Sequence, residues 1–239
     1  MILILWSQHK HKTMTIQNKT IYGLSIESQW NQILDIHCLK LAKEHHPDWY
    51  RWRLTNNYER AVFLKNDPVF PRESSRYIWA NKNLLGTNVL EVGCSTGYGC
   101  QFLPNHITYL GLDYDPIIID VAKEQDWHEN AKFSCTDINE INLAQFDTII
   151  AFEVIEHLNN GLELVDKLKS HCRRLLITVP WNEPPGFWGE HHKLHGLNES
   201  NFPGFEFNYI DQHGRITETV APISQDNQFN LMIARWDRG

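Results

Sequence analysis

Val89-Leu90-Glu91-Val92-Gly93-Cys94-Ser95-Thr96-Gly97-Tyr98-Gly99 sets how the whole chain reads. It opens as a short apolar run rich in β-branched residues, the pattern of a buried strand. It then turns into three glycines, with only small residues between the first two. Glycine there lets the backbone bend sharply and lets a ligand approach the main chain closely. Strands and helices alternate downstream, which places this loop at the carboxyl edge of a parallel sheet, where ligands bind.

Working outward, Pro71 suits a first helical turn and Gly86 a helix end, so a helix over 72–85 is expected to lead into the first strand, 88–92. A helix after Gly97 follows, then strand 108–112, helix 116–125, strand 132–134, strand 146–151, helix 160–170 and strand 175–179. That alternation predicts right-handed βαβ units. The last two strands, 205–210 and 229–236, are joined without a helix and are expected to be antiparallel. Upstream, Trp30, Ile33, Leu34 and Leu41 share one helical face over 26–46, which Pro47 ends. Residues 48–70 carry Trp49, Tyr50, Trp52, Tyr58 and Phe63 among several arginines. The chain therefore divides into an extension over 1–25, a helical addition over 26–87 packed on the main domain, and the main domain itself over 88–239. Met14 is a second possible start, and disorder or an edge contact is expected ahead of it.

Composition narrows the function. The 239 residues are 42% hydrophobic and 21% charged, the balance of a soluble globular protein. Net charge is −7, and no Lys/Arg run exceeds the pair Arg173-Arg174, which weighs against a dedicated nucleic-acid binder. The apolar start Met-Ile-Leu-Ile-Leu-Trp is too short to span a membrane and lacks the basic start of a signal peptide. Five scattered cysteines without a Cys-x-x-Cys pair read as reduced thiols of a cytoplasmic protein.

The order Gly-x-x-x-Gly-x-Gly matches neither the dinucleotide fingerprint nor a P-loop. Glu91, two residues before Gly93, would repel a pyrophosphate and suit a cationic ligand. Asp113 ends the second strand, 20 residues after Gly93, where an acid commonly accepts both ribose hydroxyls. The third strand runs into Asp137-Ile138, the usual type of pair for an adenine edge and face. Adenine, ribose and positive charge without phosphate describe S-adenosylmethionine.

Leu-Glu-Val-Gly-Cys-Ser-Thr-Gly at 90–97, Gly-Leu-Asp-Tyr-Asp-Pro at 111–116 and Phe-Asp-Thr-Ile-Ile-Ala-Phe-Glu-Val-Ile-Glu-His-Leu at 146–158 together resemble the class I S-adenosylmethionine-dependent methyltransferases, over roughly residues 72–239. The resemblance implies an α/β, Rossmann-like, seven-stranded mixed sheet with helices on both faces. It places Gly93, Cys94, Ser95 and Gly97 along the methionine moiety. Asp113, with Tyr114 beside it, falls at the ribose, Asp137 and Ile138 at the adenine, and Phe152 closes over the cofactor. Ser95 stands where the family usually has glycine, which a small serine tolerates if its φ is negative.

Glu153, Glu156 and His157 follow the fourth strand, and positions i, i+3 and i+4 share one face of a helical turn. Two carboxylates and an imidazole suit Mg²⁺, Mn²⁺ or Fe²⁺ more than a structural zinc. The loop after the fifth strand carries Gly189-Glu190-His191-His192-Lys193-Leu194-His195 and can reach the same site. Glu-x-x-Glu-His resembles the ubiquinone-pathway O-methyltransferases, which bind a divalent metal. His192-Lys193-Leu194 is similar to the fourth-ligand context of the small-RNA 3′-terminal 2′-O-methyltransferases, with leucine for phenylalanine. These resemblances imply a metal tetrad of Glu153, Glu156, His157 and His192, holding Mg²⁺ or Mn²⁺. A second reading has no metal: the same residues cap a helix and shape the pocket, and His157 or His192 acts as a general base.

The segment from Trp181 to Trp188, rich in proline, glycine and aromatics, fits a lid over the acceptor, with Trp49, Tyr50 and Trp52 able to complete the pocket. The expected activity is O-methylation of a small-molecule hydroxyl, foremost a sugar or glycan precursor with vicinal hydroxyls. Catalysis falls to Glu156, His157 and His192. Acidic charge weighs against an RNA 2′-O-methyltransferase, and the lack of apolar helices against a membrane-quinone enzyme, with a catechol acceptor also open. A partner subunit that keeps cofactor without catalysis is the contrasting class, and the intact Glu/His cluster argues against it.

Overall fold

The computed structural model describes residues 61–140, 143–187, 191–221 and 230–239. The expected extension over 1–25, the helix over 26–46, and Trp49, Tyr50, Trp52, Trp188 and Glu190 lie outside the described residues. A compact unit spans Ala61–Gly239, and so takes in the last part of the predicted addition.

Helix α1, Pro71–Asn83, starts at the proline that suits a first turn. It stops ahead of Gly86, because Leu84 is already extended. Gly86 instead makes the turn into the sheet at φ +67°, against the Asp147 side chain. Strands β1 (Asn88–Val92), β2 (Thr108–Asp113), β3 (Ala131–Cys135), β4 (Phe146–Phe152) and β5 (Cys172–Pro180) follow, with helices α2 (Pro116–Glu124) and α3 (Gly161–Ser170) between them. Asp115 caps α2, its side chain accepting from the Ile117 and Ile118 amides, a contact worth about 1 kcal/mol. The chain closes with β6 (Glu206–Ile210), β7 (Ile216–Thr217) and β8 (Leu231–Asp237).

The sheet order is β3-β2-β1-β4-β5-β8-β6-β7. The first five strands in that order are parallel, β8 runs antiparallel to β5, and β6 antiparallel to β8. The predicted mixed α/β sheet and antiparallel end are therefore present, with one difference. Among the described residues the sheet has eight strands where seven were expected, because two residues, Ile216 and Thr217, add an edge to β6. So short a strand leaves no periodic pattern in the sequence.

Two apolar layers flank the sheet. Leu90, Val92, Ile149 and Ile177 face one layer with Leu164, Val165 and Leu168 of α3. Val89, Ile150 and Leu176 face the other, with Tyr77 and Ala80 of α1. This alternation is the two-residue period of a sheet covered on both sides. The helix predicted after Gly97 is only a 3₁₀ turn, Tyr98–Phe102. Pro104 forces Leu103 into extended backbone at ψ 157° and ends it. Because β1 and β4 are neighbours in the middle of the sheet, the strand order reverses between them. Open α/β sheets bind ligands outside the carboxyl ends of the strands at such a reversal. Among the described residues no helix is long and apolar enough to cross a membrane.

Candidate functional site

The loop after β1 is closed by backbone bonds. The Gly93 and Cys94 amides both donate to the Leu112 carbonyl, at 2.8 and 2.9 Å. Gly93 sits at φ +71°, where a Cβ would lie 2.5 Å from Val154 Cγ2. Gly97, at φ +75°, would press a Cβ to 2.5 Å from Phe133 Cε1. Both glycines are therefore required by shape as well as by conformation. Ser95 corrects an expectation: its φ is +49°, not negative. Its amide donates to Asp113 Oδ2 at 3.2 Å and its hydroxyl to the Ala61 carbonyl at 3.1 Å, and these bonds offset the cost of the left-handed backbone. Thr96 adds a 2.6 Å bond to the Phe63 carbonyl, so the strap over 61–63 lies across the loop.

Asp113, at the end of β2, is buried, and its Oδ1 accepts the Asp115 amide at 3.0 Å. Its carboxylate thus faces the glycine loop, where a ribose was expected. Tyr114 beside it is exposed. Asp137 is exposed past β3, bonded to the Asn139 amide at 2.8 Å, while the Ile138 side chain is buried.

Two residues of the expected cofactor set lie elsewhere. Glu91 points to the α1 side of β1, where the Tyr77 hydroxyl donates to it at 2.6 Å and the Tyr109 hydroxyl to its other oxygen. Burial pushes its carboxyl up to about 7, against the pull of these two hydroxyls and of Arg76. Both of its oxygens are thus engaged by side chains of α1 and β2. Phe152 is the last residue of β4 and not beyond it, and its ring packs edge-on against Tyr77 at 5.3 Å. It belongs to the core layer under α1.

The acid and histidine cluster forms at the next loop. Glu153 takes φ +55°, its amide bonded to the Thr178 carbonyl on β5. A 3₁₀ turn, Ile155–His157, then replaces the expected α-helical turn. Glu153 consequently stands outside the converging set. Glu156, His157 and His192 each offer a ligand atom, and these atoms lie within 4.8 Å of one another. His192 arrives from the loop after β5, because the Lys193 and Leu194 amides both donate to the Glu156 carbonyl, at 2.6 and 3.0 Å. His157 Nε2 is 3.9 Å from Glu156 Oε1, and the His157 Nδ1 lies 3.3 Å from the His191 carbonyl. His191 is exposed and His195 half-buried.

Glu156 is 1% exposed, and neither carboxylate oxygen has a hydrogen-bond partner. Burial, with Glu153 and Glu183 nearby, holds its carboxyl well above the usual carboxylate range. A buried acid without donors calls for a proton or a cation beside it. The arrangement of one carboxylate and two imidazoles fits a divalent transition metal on that ground, and on the chemistry of its donors.

Two residues of this site are not singled out by any motif. Glu183, buried after β5, accepts from His192 Nδ1 at 2.5 Å. Arg76 of α1 is buried, donates to the Tyr98 hydroxyl at 2.7 Å, and lies within electrostatic reach of Glu153 and Glu156. Its only sequence signal is an arginine in register with the core-facing Tyr77 and Ala80. Trp181, at the start of the segment expected as a lid, is tied by its indole N–H to Glu199 Oε1 at 3.0 Å.

Residues 90–176 match a family model described as a methyltransferase domain. A probable S-adenosylmethionine-dependent methyltransferase of Mycolicibacterium smegmatis is 33% identical over 49% of this chain and 42% of its own length. A ubiquinone biosynthesis O-methyltransferase of Coxiella burnetii is 33% identical over 38% of this chain and 41% of its own. The chain thus spans about two fifths of the length of these curated relatives. Among solved structures, the plantazolicin methyltransferase BpumL in complex with SAH superposes with a TM-score of 0.53. It covers 90% of this chain and all of that one, at 14% identity, a likeness of fold.

Proposed function

We propose that this chain, which matches a family model described as a methyltransferase domain over residues 90–176, is a class I S-adenosylmethionine-dependent methyltransferase that methylates a hydroxyl of a small molecule. A sugar or glycan precursor with vicinal hydroxyls is the acceptor favoured. The observation that carries the reading is the buried Glu156 carboxylate, without a hydrogen-bond donor, beside His157 and His192 at the carboxyl edge of β4 and β5.

Glu156, His157 and His192 would hold a divalent metal. Imidazole nitrogens in the set favour Mn²⁺ over Mg²⁺. Such a metal lowers the pKa of a hydroxyl bound to it, and S-adenosylmethionine supplies an electrophilic methyl. The chain's own residues do the rest. Asp113, held by the Ser95 and Asp115 amides, is the ribose acceptor, and Asp137 with Ile138 flanks the adenine. The bend at Gly93 brings the main chain close to the methionine moiety. The turn Ile155–His157 holds the acceptor edge against that loop, through the contact of Gly93 with Val154. Fixing donor and acceptor on neighbouring strand ends converts a bimolecular transfer into a positioned one. The acceptor oxygen bonds to the methyl carbon as the carbon–sulfur bond breaks, S-adenosylhomocysteine is the leaving group, and the hydroxyl proton passes to water.

A metal-free reading is favoured by one contact, the 2.5 Å bond from His192 Nδ1 to Glu183. A carboxylate-held imidazole can accept the hydroxyl proton itself. Labelled-methyl transfer to a panel of nucleotide sugars, catechols and short RNA, after exhaustive chelation and with Mg²⁺ or Mn²⁺ restored, separates these readings. Transfer to a sugar that returns only with metal supports the first. Full turnover after chelation supports the second. Transfer to RNA or a catechol alone replaces the favoured acceptor, and binding of S-adenosylhomocysteine without transfer to any acceptor points to a partner subunit.

A further inference from the structure

The loop over 182–197 is zipped at its neck. The Asn182 amide donates to the Leu197 carbonyl and the Gly196 amide to the Glu183 carbonyl, both at 2.8 Å. Glu183 therefore has a fixed backbone at the point where the loop leaves β5. Its side chain turns inward, 1% exposed, and Oε2 meets His192 Nδ1 at 2.5 Å. A carboxylate only accepts, so the Nδ1 position carries the proton and Nε2 keeps the lone pair. From the other side, the Lys193 and Leu194 amides hold the loop to the Glu156 carbonyl. His192 is thus gripped both at its ring and at the backbone that follows it.

We infer that Glu183 is a positioning residue: its carboxylate fixes the Nδ1–H tautomer and ring plane of His192, so that Nε2 is the atom presented beside Glu156 and His157. The inference rests on the proposed function only in giving His192 a task, as ligand or as base. Carboxylates behind a ligating imidazole commonly serve this purpose, raising its basicity and holding its orientation. Both candidate chemistries need the same Nε2, and so both need Glu183.

The test uses the full-length ¹⁵N-labelled chain. Long-range ¹H–¹⁵N correlation, with the His192 signals assigned by their loss in His192→Ala, is expected to show Nδ1 protonated with its proton strongly downfield. Glu183→Ala is expected to abolish that downfield proton and mix the tautomers, and Glu183→Gln to move it upfield. Electron paramagnetic resonance of added Mn²⁺ is expected to give an affinity roughly 10–100-fold weaker in Glu183→Ala. The double variant with His192→Ala is then no weaker than His192→Ala alone. An Nε2-protonated His192 in the wild type, or an unchanged Nδ1 proton in either Glu183 variant, overturns the inference. If Glu183→Ala does not fold, Glu183→Gln decides alone by the same signal. If the wild type takes up no Mn²⁺ while the Glu183 variants still lose the tautomer, the metal reading fails and the positioning role stands.

Discussion

The rings of His157 and His192 meet edge to face, with centroids 4.6 Å apart and planes 87° apart. One comes from the 3₁₀ turn after β4 and the other from the loop after β5, and the two strands pair in parallel along their length. Each ring has its Nδ1 beside an acceptor, His157 at the His191 carbonyl and His192 at Glu183. The other nitrogen of His157, Nε2, lies 3.9 Å from Glu156 Oε1. This convergence is what turns a sheet edge into a candidate site.

Removal of metal follows from that geometry. Exhaustive dialysis against a chelator is expected to lower turnover by at least about tenfold, and Mn²⁺ to restore it. Binding of S-adenosylhomocysteine is expected to stay unchanged, because the glycine loop and Asp113 contribute no atom to the converging set. Calorimetric titration before and after chelation checks the second half, and a parallel loss of both would tie the metal to the fold.

Asp113 holds the loop and faces the expected ribose at once. Replacing it with alanine removes an acceptor from the Ser95 and Asp115 amides. Charged hydrogen bonds of this kind are worth roughly 1.5–3 kcal/mol, so affinity for S-adenosylhomocysteine is expected to fall roughly 10–100-fold. Asp113→Asn, which keeps one acceptor oxygen, is expected to lose less. Equal affinity in all three chains would place the ribose elsewhere.

Gly97→Ala combines a left-handed φ of +75° with a Cβ 2.5 Å from the Phe133 ring. The expected loss of stability is roughly 2–4 kcal/mol, from the conformational cost and the overpacking together. Urea unfolding measures it. A loss below about 0.5 kcal/mol, the range of an ordinary surface substitution, would contradict this packing.

The stability of the fold should depend on pH through Glu91. Burial raises its folded pKa from 4.5 to about 7, so the folded chain binds this proton more tightly than the unfolded chain. The resulting stabilisation is complete below about pH 4.5 and is lost as pH rises through about 7. Within that window the slope reaches at most about 1.4 kcal/mol per pH unit. Glu91→Gln removes this group's part of the slope. Between about pH 5 and about pH 7 the wild type is therefore expected to lose stability relative to Glu91→Gln, whose side chain does not titrate. Parallel pH dependences would assign the slope to other groups.

What the sequence made legible is what a rigid backbone needs. Gly93 and Gly97 are readable because no other residue fits beside Val154 and Phe133 at a positive φ. Asp113 is readable because a strand end fixes its place. Residues whose roles depend on partners far along the chain were hidden. Glu91 was read as facing a cation, and the sequence gives no sign that Tyr77 and Tyr109, from α1 and β2, both bond to it. The expected helical face of Glu153, Glu156 and His157 gave way to a 3₁₀ turn, which leaves Glu153 apart and brings His192 in. Glu183 carried no motif, since its meaning lies in a side chain nine residues onward in a folded-back loop.

The central claim is that the donor binds at the glycine loop while chemistry happens at Glu156. Labelled-methyl transfer and S-adenosylhomocysteine titration, measured together on the wild type and Glu156→Gln with Mn²⁺ present, test it most directly. The account predicts that both proteins bind S-adenosylhomocysteine alike, while the variant loses at least about a hundredfold in transfer, as removal of a charge-stabilising group at a reacting centre does. Undiminished transfer by the variant, or a wild type that does not bind S-adenosylhomocysteine, would contradict it.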